Sequence, residues 1–297
     1  MTEPARTRPV SAALPWIARL SWIATVAGGA ALESALEGRS DALRWIVGVG
    51  SWVLWGSVLV ALLIPAVVSL TWIRVIGPLS LVASVLTATA GASAGDLALL
   101  VIPSLIACFA FFSPEVGRWM VQASAYGDED RLPLRTPVPA GAAAVVSWVL
   151  WAAALVGGVV ALGTGNLIIG VPVALVAVAL SVYIGPRWLM MAKRWLVLVP
   201  AGLVLHDPVV LADTLMVRTD QLSSIGLAHA DTRAADLTGP ASGYAVQIDT
   251  SETVSTVFAF TPKEPNGRAI HMTGFLIAPS RPGEALRRAA ERGLPVA

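Results

Sequence analysis

The chain has 297 residues, 56% of them hydrophobic and only 13% charged, with a mean hydropathy of +0.74 and a net charge of +1. Soluble domains carry roughly 25% charged residues, so this composition excludes an ordinary water-soluble fold, and the near-neutral charge leaves no electrostatic footprint for nucleic acid. The one cysteine, Cys108, rules out an intramolecular disulfide, and all but Lys193 and Lys263 of the 20 basic residues are arginine.

Six apolar tracts come first, at 14–32, 45–70, 75–94, 97–112, 142–162 and 167–184. A membrane-crossing helix needs about 20 apolar residues, which the second, third, fifth and sixth supply directly. The fourth is short and can continue through 113–120. The first is interrupted by Arg19, close enough to its start for the side chain to reach back to the headgroups. Arg6 and Arg8 precede it and small residues follow, as in a signal peptide, but the five later tracts favour an uncleaved span.

Arginine placement sets the orientation. The second-to-third connection holds Arg74, the fourth-to-fifth holds Arg118, Arg131 and Arg135, and Arg187, Lys193 and Arg194 follow the sixth tract. The third-to-fourth and fifth-to-sixth connections have no Lys or Arg. Basic connections stay in the cytoplasm, so six spans place both termini there, in a bacterial inner membrane. Arg39 and Arg44 in the first-to-second connection run against the rule, and five spans with the N-terminus outside is the alternative. Trp16, Trp72, Trp119 and Trp188 fall near cytoplasmic ends and Trp45 near an outer one, where the indole finds both an apolar body and a polar edge.

After residue 186 the pattern changes to short β-rich runs split by turn residues. A hairpin is expected over 195–199 and 203–206 around Pro200-Ala201-Gly202, then strands at 214–218, 224–228, 244–249, 254–260 and 269–277. A closing helix follows, with Ser280 as cap, Pro282 in its first turn, Glu284 at the positive dipole end and Gly293 as its stop. Its stripe of Leu286, Ala289, Ala290 and Leu294 suits a sheet surface. The expected fold is therefore an α-helical polytopic membrane domain at 1–186, with a cytosolic loop at about 113–140, and a cytosolic β-rich domain at 187–297.

That order of antiparallel strands and one helix, opened by the juxtamembrane Arg194-Trp195 hairpin, resembles bacterial pleckstrin-homology-like (PH-like) modules. Three stretches, SAYGDEDRLPLRTP at 124–137, VPAGLVLHDPVVLAD at 199–213 and PSRPGEAL at 279–286, make the whole chain similar to a group of uncharacterised multi-pass membrane proteins of actinobacteria. The resemblance implies architecture and lineage. It implies no catalytic residue.

Candidate sites are few. In the polar loop, Tyr126 and Gly127 precede Asp128, Glu129 and Asp130, with Arg131 and Arg135 after them. Adjacent carboxylates suit a hard cation, but the ligand spacing of a calcium loop is missing, and pairing with the loop's own arginines, or docking on the β domain or a partner, are the other readings. His206, His229 and His271 have no second histidine three or four residues away, so no helical zinc motif exists. Gly163-Thr164-Gly165 is not followed by the Lys of a phosphate loop. No catalytic residue, cofactor or metal is assigned.

The pentapeptide SWVLW occurs at 51–55 and again at 147–151. Trp52 and Trp55, like Trp148 and Trp151, are three apart and share a helix face beside small residues, a good packing surface. The two copies also fit an inverted three-plus-three repeat, as in many transporters. The expected role is a non-enzymatic accessory or scaffold protein of the cell envelope, engaging a membrane or envelope protein or lipid headgroups. A homo-oligomer is left open, and a transporter or channel subunit is the alternative.

Overall fold

The computed structural model describes residues 9–259 and 267–297. Arg6 and Arg8, and the end of the strand expected to reach Phe260, lie outside the described residues. The chain divides into two compact units, Met1–Met120 with Ser147–Gly185, and Val121–Val146 with Pro186–Ala297.

The first unit is helical: α1 (Pro9–Ala24), a 3₁₀ turn (Thr25–Gly28), α2 (Gly29–Leu36), α3 (Asp41–Leu63), α4 (Val67–Ile76), α5 (Leu79–Thr89), α6 (Ala94–Phe112), α7 (Pro114–Gln122), α8 (Val138–Gly163) and α9 (Leu167–Ala192). Helix α7 ends, and α8 begins, within the second unit. Among the described residues five helical stretches, rather than the six expected, are each long and apolar enough to cross a membrane: Asp41–Leu63, Val67–Thr89, Ala94–Phe112, Val138–Gly163 and Leu167–Ala192. The first tract falls short because α1 has 16 residues before the 3₁₀ turn breaks it, about 24 Å at 1.5 Å per residue.

Local chemistry moves the other boundaries. Pro65 disfavours helical geometry at the residue before it, and Ile64 leaves the helix at φ −113°, ψ 85°. The second tract therefore stops at Leu63 and its last residues open α4. Ser113 turns extended, its Oγ accepts from the Val116 amide at 3.2 Å, and Pro114 starts α7. The fourth tract thus ends at Phe112 and does not run on through 113–120.

Helix α6 is the hub of the unit: α1, the 3₁₀ turn, α2, α4 and α5 all pack on it. Trp22 meets Phe111 with ring centroids 5.8 Å apart, and a Cβ at Gly28 would lie 2.6 Å from the Leu100 Cα, so only glycine allows this approach. The outward surface is apolar, with Ile168 88%, Phe109 79% and Val182 73% exposed. Apolar patches of this extent are not left facing water.

The second unit holds two four-stranded sheets. The first has the order β1 (Asp130–Pro133), β2 (Trp195–Val199), β3 (Gly202–His206) and β4 (Leu215–Arg218), antiparallel throughout. The second has the order β5 (Leu222–Leu227), β7 (Val246–Phe258), β8 (Arg268–Ile277) and β6 (Ala235–Asp236), with β6 parallel to β8. The hairpin and the later strands form where the alternation placed them, except that 244–249 and 254–260 merge into one 13-residue strand with a register shift between Asp249 and Val254. Such a shift is how a strand absorbs extra residues without losing its partner. Two strands had no forerunner in the sequence reading, β6 and β1, and β1 lies in the polar loop. Leu196 opposite Leu205 and Leu198 opposite Leu203 put four leucines on one face. They join Ile248, Phe275 and Ile277 in a single core.

Helix α10 (Pro282–Glu291) covers that core with Ala285 and Ala289, and Leu294 follows. Ala285 takes the place expected for Ala290, which is exposed. Ser280 does not cap the helix: Arg281 is the N-cap, and the Ser280 amide donates to the Pro133 carbonyl at 2.8 Å.

One ion pair is sealed inside this unit. Arg194 Nε and Nη2 donate to Asp207 Oδ1 and Oδ2 at 2.7 and 2.6 Å, with side chains 1% and 0% exposed. Arg194 Nη1 also donates to the Arg135 carbonyl, and Asp207 Oδ1 accepts from the Val209 and Val210 amides. Removing one partner of a buried pair costs about 3–5 kcal/mol, while replacing both with apolar groups is often neutral. Asp207→Ala should therefore lower the unfolding temperature of the purified protein sharply, and the double variant Arg194→Met, Asp207→Leu should recover much of the loss. A double variant as unstable as the single would place the cost elsewhere.

Candidate interaction site

The polar loop is built into the second unit. Its start is held by Gln122, whose Nε2 donates to the Glu129 carbonyl at 2.8 Å while its Oε1 accepts from the Arg131 amide at 2.8 Å. The side chain thus acts as an extra peptide group beside the loop. Gly127 sits at φ +65°, the left-handed geometry that favours glycine, and turns the chain between. Strand β1 then pairs with β2 in the register Arg131 to Val197 and Leu132 to Leu196.

The carboxylates do not converge. Glu129 Oε1 accepts from the Tyr126 amide at 2.6 Å and from Arg131 Nε and Nη2 at 3.0 and 2.7 Å. Asp128 and Asp130 both point to Arg292 just after α10, at 2.8 and 3.0 Å. Among the described residues no group of three or more His, Cys, Asp or Glu side chains is arranged to hold a metal. Pairing with the loop's own arginine and docking on the β domain both occur.

The rest of the loop is equally engaged. Arg135 donates through its amide to the Ala278 carbonyl at 2.7 Å and through Nη2 to the Tyr244 carbonyl. Tyr126 alone stands out, with its side chain in solvent at 90% exposure. The Arg131 guanidinium lies 5.3 Å from the Trp195 ring centroid, and Trp195 stacks on His206 at 5.0 Å. Burial lowers the pKa of His206 from its ordinary 6.5, Asp207 opposes this, and Lys193 and Arg131 add to it.

Arg292, Gln122 and Arg194 were missed as partners of this region. Arg292 is 162 residues from Asp130 in sequence, and no local pattern signals such a pairing. Ser255 Oγ and His271 Nδ1, 2.7 Å apart across β7 and β8, are a hydroxyl and imidazole in contact on an exposed sheet surface. A nucleophile and base also need an enclosed site and donors for the developing charge, and an open strand pair supplies neither.

The repeated pentapeptide divides its tryptophans among several helices. Trp55 Nε1 donates to the Trp22 carbonyl at 3.2 Å, and Trp22 Nε1 returns the bond to the Trp55 carbonyl at 3.0 Å. Trp148 Nε1 donates to the Val75 carbonyl and Trp151 Nε1 to Ser181 Oγ, both at 2.8 Å. Trp52 packs edge-on against Trp55 at 5.6 Å and is 61% exposed. At Gly163 a Cβ would lie 2.8 Å from the Leu43 Cα, and Ser40 Oγ donates to the Gly163 carbonyl, so that glycine permits close helix contact.

No protein-family model matches the chain, and no curated protein or solved structure is significantly similar to it. The class of the molecule therefore rests on its own geometry: five helices able to cross a membrane and a two-sheet unit that incorporates a loop from between them.

Two outcomes follow. Arg292→Ala should release β1, read as faster amide exchange at Arg131 and Leu132, with a stability cost of about 1–2 kcal/mol for two partly exposed pairs. Unchanged exchange there would show that backbone pairing alone holds the strand. For His206, the folded state resists the proton that the unfolded state accepts near 6.5. Stability should then fall as pH drops through that value, by at most about 1.4 kcal/mol per unit. His206→Gln should flatten this slope in unfolding temperatures taken from pH 7.5 to 5, and an identical slope would exclude His206 as the source.

Proposed function

We propose that this is a polytopic protein of a bacterial inner membrane whose cytosolic two-sheet, PH-like module serves as a non-enzymatic scaffold for a membrane or envelope protein. The observation that carries the reading is the β1 to β2 ladder. Strand β1 lies between α7 and α8, and β2 follows α9. Strands hydrogen-bonded in one sheet occupy one side of a membrane. The C-terminal end of α6, the N-terminal end of α8 and the C-terminal end of α9 therefore share a side. That side carries Arg118, Arg131, Arg135, Arg187, Lys193 and Arg194, which makes it cytoplasmic by the positive-inside rule.

The same logic supports a bent sixth crossing. α1, the 3₁₀ turn and α2 follow α6 in the opposite direction, from Trp22 against Phe111 to Gly28 against Leu100. That stretch of α6 is about 16 Å long. Both termini then lie in the cytoplasm. The tryptophan bonds speak for packing rather than ancestry. The first SWVLW bonds α1, whereas the second bonds α4 and α9. An inverted repeat would pair the second with α6, so the transporter alternative gains no support from the pentapeptide.

The interleaving of module and membrane helices suits a scaffold, because a partner held by the sheets is tied to three chain connections at once. The test uses the exposure of Tyr126. With Cys108→Ala removing the buried native thiol, Tyr126→Cys and a cysteine appended after Ala297 should both resist a membrane-impermeant maleimide in spheroplasts and both react in inverted vesicles. Opposite labelling of the two sites would overturn the shared-side argument. Labelling of both from outside would overturn the cytosolic module.

A further inference from the structure

The second sheet has an open edge. Strand β8 is paired with β7 from Arg268 to Ile277, but on its other side β6 covers only Phe275 and Leu276. The Leu276 carbonyl accepts from the Leu237 amide at 3.0 Å, so the backbone groups of Leu276 face β6. Backbone groups alternate sides along a strand. Beyond the register shift the facing is set by Val257, whose carbonyl turns away from β8 to the Ala212 amide; its partner Ala269, and His271 two residues on, therefore turn their backbone groups to the open side, past the point where β6 ends. Among the described residues no backbone group pairs with them.

The opposite edge of the sheet shows what covering looks like. There the Ala212 amide donates to the Val257 carbonyl, and the Ala259 amide to the Val210 carbonyl, so the chain near Leu211 runs beside the far half of β7. Folded proteins shield a free edge with proline, a bulge or a very short strand. Residues 268–272 contain no proline and pair in unbroken register with β7.

A recess of about 320 Å³ runs along this edge, lined by Arg233, Thr253, Ile270, His271, Met272 and Gly274 among others. Its lining holds one full positive charge and no carboxylate. Arg233 is exposed and makes no ion pair among the described residues.

We infer that the open edge of β8 is a docking site for an extended segment of a protein partner that carries an acidic side chain. The segment adds a strand beside Ala269 and His271, and its carboxylate meets Arg233. Strand addition draws its affinity from main-chain hydrogen bonds and its selectivity from the side-chain pocket beside them. Charge complementarity sets the partner's chemistry. It also argues against a second copy of this chain, since pairing β8 with β8 places two Arg233 and two Arg268 side chains around one seam without a carboxylate in the recess. The inference deepens the scaffold reading by naming the partner class, and it rests on that reading only for the cellular compartment.

The test is therefore made on the purified full-length chain in nanodiscs, where topology plays no part. The probe is a fluorescein-labelled eight-residue peptide of alternating valine and threonine with one central glutamate. It should bind saturably, and replacing the glutamate by lysine should weaken binding at least about tenfold, or 1.4 kcal/mol. Methylating alternate backbone nitrogens of the peptide should abolish binding. Arg233→Glu, at an exposed position and checked for an unchanged unfolding temperature, should reverse the preference between the two peptides. Hydrogen exchange should slow at Ala269 and His271 on binding. Equal binding of the methylated peptide would reveal mere charge attraction and overturn strand addition. Absence of binding, indifference to Arg233→Glu, or protection elsewhere would overturn the site. None of these results bears on the maleimide labelling, so the two readings fail separately.

Discussion

The second unit depends on a charge pair that water never reaches. Arg194 and Asp207 meet in a two-bond fork with almost no exposed surface. Burying two ions costs several kcal/mol each, which is recovered only when every remaining donor and acceptor is occupied. Here the surplus groups are used to gather chain. Asp207 also holds the amides of the turn after β3, and Arg194 also holds the carbonyl of Arg135. Three passages distant in sequence, the exit from α9, the end of the first hairpin and the return of the polar loop, are thereby joined at one point. A hydrophobic contact tolerates sliding by an ångström. A forked ion pair with its remaining bonds filled does not, so it fixes the register in which β1 meets β2.

How much of this was legible follows from the range of each interaction. The β2–β3 hairpin was readable because alternating leucines and the Pro200-Ala201-Gly202 turn act within a dozen residues. The apolar helices were readable because their solvent demands a long unbroken run. Their ends were misplaced where one residue decides: Pro65 ended the second tract early, and Ser113 with Pro114 divided the fourth from α7. Strand β1 was invisible because Asp130-Arg131-Leu132-Pro133 has no alternation of its own. It becomes a strand only because β2 presents a free edge to it. The loop was visible as the polar connection between apolar helices, while its partners Gln122, Arg194 and Arg292 could not be inferred from spacing.

The tryptophans and two of the arginines do similar work in the helical unit. A helix that ends away from water leaves carbonyls without donors. Arg19 Nε donates to the Leu62 carbonyl at 3.1 Å, in the last turn of α3, and Arg74 Nε donates to the Phe111 carbonyl at 2.9 Å, in the last turn of α6. Arg19 also lies between the rings of Trp16 and Trp119, 4.9 and 4.8 Å from their centroids. Its interruption of the first tract, which suggested a side chain stretching toward headgroups, is resolved by protein partners. A guanidinium suits this role because it stays charged, is weakly hydrated and presents several donors in one plane.

The same residues that orient the chain therefore also finish its helices, and the two tasks reinforce each other. Arg19 and Arg74 place positive charge at the last turns of α3 and α6, where unsatisfied carbonyls and the negative ends of helix dipoles collect. An arginine there lowers the energy of the folded bundle, and in a membrane it would also oppose translocation of that end. Lysine would serve the second task but, with a compact and strongly hydrated head, serve the first less well. That difference gives a physical ground for arginine at Arg19 and Arg74 beyond the overall bias of the composition. Once the helix ends are capped by side chains of their own unit, the loop after α7 is left with its backbone groups unused and pairs with the strand that follows α9.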